Sequence, residues 1–101
     1  MNEKKREVIF VDIDGTICHT EGGYENAKPI PENIAKINKL FDEGHTIIYW
    51  TARGKVTGLN WTDLTARQLT AWGCKYHDVV MNSKPAYDRI IDDKSMRIEE
   101  I

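Results

Sequence analysis

Residues 8–11 read Val-Ile-Phe-Val, and no polar residue relieves either side of the run. A strand built from such residues needs apolar cover on both faces, which is the situation of a central strand rather than an edge. The strand is predicted over Glu7–Ile13. It then ends in Asp12-Ile13-Asp14-Gly15-Thr16. Two carboxylates one residue apart, where an apolar strand stops, are costly unless something cationic holds them.

The rest of the chain supplies partners for that strand. The segment from Thr16 to Lys28 is irregular and polar, with Gly22-Gly23 at its middle, and predicts a loop or short hairpin. Pro31 suits the first position of a helix, with Glu32 beside the positive end of its dipole. Ile34, Ile37, Leu40 and Phe41 follow at helical spacing, and Gly44 stops the helix. A second strand is predicted over Thr46–Thr51, then a loop over Arg53–Gly58. A second helix runs over Trp61–Trp72, with Asn60 as its cap and Asp63 as the capping-box partner. Its face carries Trp61, Leu64, Gln68, Leu69 and Trp72, and Gly73 closes it. Short strands are predicted over Asp78–Met81 and Arg89–Asp92, separated by a turn at Ser83-Lys84-Pro85.

Strands alternating with helices predict an α/β fold with a central parallel sheet. The length of 101 residues predicts one domain, 1–101. The net charge of −2 and the absence of a basic stripe argue against a nucleic-acid partner, and Lys4-Lys5-Arg6 reads as a solvated tail. No apolar run approaches the roughly 18 residues of a membrane span. Cys18 and Cys74 make no disulfide framework, and a cytoplasmic location is expected. Cys18-His19 and Cys74 with His77 would offer adjacent ligands, a poor geometry for zinc, so no zinc site is expected.

In a parallel sheet, ligands bind outside the carboxyl ends of the strands. The polar groups that interrupt the apolar pattern all fall at such ends. Asp12 and Asp14 end the first strand, Thr51 the second, Lys84 follows the third, and Asp92-Asp93 end the fourth. Clustered carboxylates suit Mg²⁺, which takes one or two of them plus phosphate oxygens. An ammonium and a hydroxyl suit the remaining oxygens of a phosphate. The set predicts phosphoryl transfer.

Asp12-Ile13-Asp14-Gly15-Thr16 resembles the DxDGT motif of the haloacid dehalogenase superfamily, the aspartate-nucleophile phosphatases. Thr51 at a strand end, Lys84 before Pro85, and Asp92-Asp93 resemble the second, third and fourth motifs in the same order. The resemblance spans about Val8 to Lys94, and Ser83 stands where glycine is common in that family. It implies a three-layer Rossmann-like domain. It also implies that Asp12 attacks phosphorus to form an aspartyl-phosphate, with Asp14 as general acid and then base. Thr51 and Lys84 would hold the phosphoryl group. Ala52 and Arg53 beside them are candidate substrate contacts, with Arg53 equally readable as a surface loop charge. Mg²⁺ would bind Asp12, the main-chain carbonyl of Asp14, and one or both of Asp92 and Asp93.

Members of that superfamily usually carry an inserted cap domain, and neither the Thr16–Lys28 stretch nor Ala52–Asn60 has room for one. A minimal, capless phosphatase with an open site is expected, and a homo-oligomer could supply the missing lid. The stretch Tyr49-Trp50-Thr51-Ala52-Arg53-Gly54, with Trp72-Gly73 and Tyr76-His77, resembles small capless phosphatases of bacterial surface-polysaccharide pathways. The expected partner is therefore a small phosphorylated substrate, such as a saccharide phosphate. Phosphotransfer to another acceptor, action on a macromolecule, and a non-catalytic phosphate-binding module are the alternatives.

Overall fold

A computed structural model describes residues 6–53, 61–81 and 89–91. Its elements are β1 (Val8–Asp12), β2 (Cys18–His19), β3 (Lys28–Pro29), α1 (Pro31–Asp42), β4 (Thr46–Thr51), α2 (Thr62–Ala71), β5 (Asp78–Met81) and β6 (Arg89–Ile91). Four strands form one parallel sheet in the order β5-β4-β1-β6, and β2 pairs with β3 as a separate hairpin. The predicted α/β class with a parallel sheet is what is found. The expected strands at Thr46–Thr51 and Asp78–Met81 match residue for residue.

β1 occupies the place its composition demands, between β4 and β6. Ile9, Phe10 and Val11 are all essentially inaccessible to solvent. Burial on both faces explains why the strand carries no alternation. In register, Ile9 faces Ile47 and Val11 faces Tyr49. These four join Ile34, Ile37 and Leu40 of α1 and Leu69 of α2 in one core. Both helices therefore pack on one face of the sheet. Two successive right-handed crossovers stepping in the same direction, β1 to β4 to β5, require this. Among the described residues no helix covers the opposite face.

Both helices end as their glycines predict. Gly44 and Gly73 adopt positive φ, 102° and 74°. His45 N–H then donates to Leu40 O at 3.2 Å and Cys74 N–H to Leu69 O at 3.0 Å, each closing a Schellman turn. The start of α2 departs from the expected one. Trp61 stands at its cap position, with no side-chain hydrogen bond to the helix. Its ring is engaged instead in an edge contact with Tyr24, at 5.3 Å between centroids. Asn60, the expected cap, lies outside the described residues, as does the loop beyond Arg53.

The sheet's amino-terminal edge is tied by two histidines. Glu7 N–H donates to His45 Nδ1 at 3.1 Å, and Ile47 N–H donates to His77 Nδ1 at 3.1 Å. Asn38 links α1 to the end of α2: its Nδ2 donates to Gly73 O at 2.9 Å and its Oδ1 accepts from Lys75 N–H at 2.8 Å.

Candidate functional site

At the carboxyl edge, β1 ends at Asp12, paired in register with Trp50. Ile13 extends the ladder by one bond, its N–H donating to Trp50 O at 3.0 Å. The chain then turns. Thr16 and Ile17 N–H both donate to Ile13 O, and Gly15 takes φ 86°, a value that disfavours side chains. Asp14 and Cys18 form an isolated bridge, with Gly15 N–H donating to Cys18 O at 2.9 Å. Strand alternation would hold Asp12 and Asp14 on one side only if the backbone stayed extended. The turn ends that geometry and itself sets where Asp14 points.

It points to the end of β4. Thr51 Oγ1 donates to Asp14 Oδ2 at 2.9 Å and accepts from Arg53 N–H at 3.2 Å. Arg53 Nη2 donates to Asp14 Oδ1 at 2.8 Å, and Nε lies 3.1 and 3.2 Å from Oδ1 and Oδ2. Such a forked, charge-assisted pair has strict geometry as well as strength. Arg53 is 1% exposed, so its remaining donors need partners inside the protein. α2 provides them: Nη1 donates to Thr65 Oγ1 at 3.1 Å and to Gln68 Oε1 at 2.6 Å. The Asp14 side chain keeps 22% exposure, so the network opens to solvent at its carboxylate end.

Two further groups border the carboxylate. Cys18 Sγ lies 3.6 Å from Ile13 O and 3.8 Å from Asp14 Oδ1, so its S–H has two acceptors. Burial, reinforced by the Asp14 charge and opposed by Arg53, pushes this thiol up to about 12. The guanidinium carbon of Arg53 sits 4.8 Å from the centre of the Tyr24 ring. Tyr24 belongs to a single 3₁₀ turn, Tyr24–Asn26, between β2 and β3. A depression of about 360 Å³ at that hairpin is lined by His19, Glu21 and Lys28.

Of the residues expected from the sequence, Asp14, Thr51 and Arg53 meet, and Asp12 stands at the end of the strand that leads to them. Ala52 is exposed beside them. Arg53 was expected to bind substrate; its Nε, Nη1 and Nη2 all donate within the protein. Lys84, Asp92 and Asp93 lie outside the described residues. Among the described residues no three His, Cys, Asp or Glu side chains gather as a metal site. Thr65, Gln68 and Cys18 are residues the motif spacing did not single out. For Gln68 a signal existed: an amide on the core-facing stripe of α2 needs a buried partner.

No family model matches the chain, and no curated protein matches it. Among solved structures, the crystal structure of an MCSG target from Vibrio cholerae is similar, with a TM-score of 0.72 at 23% identity. The match covers 92% of this chain and 85% of that one. At that identity the likeness shows the fold alone. Among the described residues, no helix is long and apolar enough to cross a membrane.

Proposed function

We propose that this chain is a Mg²⁺-dependent phosphomonoester hydrolase of the haloacid dehalogenase type, a capless three-layer domain acting in the cytoplasm. One observation carries the reading. Asp12 and Asp14 leave the central strand beside the point where the sheet order reverses, between β1 and β6, and Thr51 of β4, on the other side of β1, meets Asp14. Open α/β sheets bind ligands at this position.

On this reading an Asp12 carboxylate oxygen attacks phosphorus and the bond from phosphorus to the leaving oxygen breaks. Asp14 enters this step as the protonated acid, gives that oxygen its proton and becomes the carboxylate that Arg53 holds. A water then attacks the aspartyl-phosphate, Asp14 takes its proton, and the bond to Asp12 breaks to release inorganic phosphate. Lys84 binds the phosphoryl oxygens, and Thr51 joins it by turning its one hydroxyl proton from Asp14 Oδ2 to the phosphoryl group. The donor set fits a hard divalent cation. The Asp14 carboxylate is filled by Arg53 and Thr51, so Mg²⁺ would be held by Asp12, the Asp14 main-chain carbonyl, and Asp92 or Asp93. Bound there, the ion would offset charge between the carboxylates and the phosphate.

The substrate proposed is a small saccharide phosphate. The test is turnover of p-nitrophenyl phosphate with Mg²⁺, with EDTA, and by Asp12→Asn, followed by a panel of sugar phosphates, nucleotides and phosphopeptides. Turnover that EDTA abolishes and Asp12→Asn lowers by about a thousandfold or more supports the reading. Full activity in Asp12→Asn sinks it. The mutual engagement of Asp14, Thr51 and Arg53 favours one second reading, a non-catalytic phosphate-binding module. Mg²⁺-dependent phosphate binding without turnover of any ester would establish that reading instead.

A further inference from the structure

We infer that Gln68 is a positioning residue, through which α2 holds the Asp14 carboxylate and the Tyr24 segment as one unit. The inference rests on the reading of Asp14 as the proton donor and acceptor of ester hydrolysis.

The geometry uses both ends of one amide. Gln68 Oε1 accepts from Arg53 Nη1 at 2.6 Å, while Gln68 Nε2 donates to Tyr24 O at 2.6 Å. A neutral amide does both at once, because it carries an acceptor and a donor on one rigid plane. On one side the chain of contacts continues through Arg53 to both oxygens of Asp14. On the other it reaches a turn whose backbone is held by Asn26 N–H to Gly23 O and Ala27 N–H to Tyr24 O, each 3.1 Å. Tyr24 is thus held by its carbonyl to Gln68 and by its ring, which meets both the Arg53 guanidinium and Trp61. Arg53 is almost fully buried and cannot turn to solvent for a substitute acceptor. Losing the Gln68 acceptor therefore loosens the group that orients Asp14. Losing the Gln68 donor frees the Tyr24 segment alone.

Two substitutions separate these halves. Gln68→Glu keeps an oxygen for Arg53 but cannot donate to Tyr24 O. Gln68→Ala removes both bonds. Thr70→Ala, at an exposed position of the same helix, is the control. The readouts on ligand-free protein are the Arg53 Nε–H NMR signal and amide exchange at Asn26 and Ala27. In Gln68→Glu the Arg53 signal should persist while the two amides exchange about tenfold faster or more. In Gln68→Ala the Arg53 signal should also lose its shift, and kcat for p-nitrophenyl phosphate should fall about tenfold with KM within about twofold. Wild-type exchange at Asn26 and Ala27 in Gln68→Glu overturns the inference, and so does a raised KM with unchanged kcat in Gln68→Ala. Should the chain hydrolyse no phosphate ester, the hydrolase reading falls, while the magnetic-resonance readouts still decide whether Gln68 couples the two segments.

Discussion

Arg53 and Asp14 lie 39 positions apart in the chain and 2.8 Å apart in space, Nη2 to Oδ1. The contact joins the turn after β1 to the residue two beyond the last of β4. The β2–β3 hairpin, α1 and β4 intervene, so only the parallel pairing of β1 with β4 makes the meeting possible. Asp14 is thereby paired with a cation of the protein itself, so one of the two closely spaced acids has its counter-charge within the chain.

Replacing Arg53 with Ala should lower stability by about 3 kcal/mol or more, because it leaves a partly buried carboxylate without its counter-charge. Urea unfolding of Arg53→Ala measures this. An unchanged midpoint would show that the pair contributes nothing. Arg53→Lys should recover only part of the loss, since an ammonium cannot span both Asp14 oxygens and also reach Thr65 and Gln68.

Thr51→Ala removes one donor to Asp14 and the acceptor of Arg53 N–H. The expected cost is about 1–2 kcal/mol in stability. The expected loss in kcat is about tenfold to a hundredfold. Thr51→Ser keeps the hydroxyl and should restore most of both. Steady-state kinetics and thermal unfolding on the two variants check the difference, and equal losses in Ser and Ala would contradict it.

The two cysteines predict an alkaline limit. Burial raises the Cys18 thiol to about 12 and the Cys74 thiol to about 11, from 9.0 in the unfolded chain. Between those values the unfolded state has released protons that the folded state still holds. Their contribution is therefore complete below about pH 9 and is lost as pH rises through 9 to 12. Denaturant midpoints should fall over that range, and less steeply in Cys74→Ala than in the wild type. Native thiols should also react with a disulfide reagent at pH 8 far more slowly than the same thiols in denaturant. Equal rates would refute the burial argument.

His77→Phe tests the opposite edge of the sheet. Phe can keep the stacking on Phe41, now 4.7 Å between centroids at 26°, but offers no acceptor to Ile47 N–H. A loss of about 1–2 kcal/mol is expected, with any turnover of p-nitrophenyl phosphate unchanged. A kinetic defect would mean that the two edges of the sheet are coupled.

Local chemistry alone determined much of this molecule. The unbroken apolar run of residues 8–11 predicted a strand buried on both sides, and Gly44 and Gly73 predicted both helix ends. Apolar spacing and glycine conformations are properties of neighbouring residues, so they are legible without the fold. The partner of Asp14 was not. The paired acids called for a cation without saying which, and among the described residues Arg53 holds the Asp14 carboxylate. Which cation reaches which anion depends on strand order and on how the turn at Gly15 aims a side chain. Gln68 shows the same division: its place on the inner stripe of α2 was readable, but its two partners come from segments brought together only by the packed sheet.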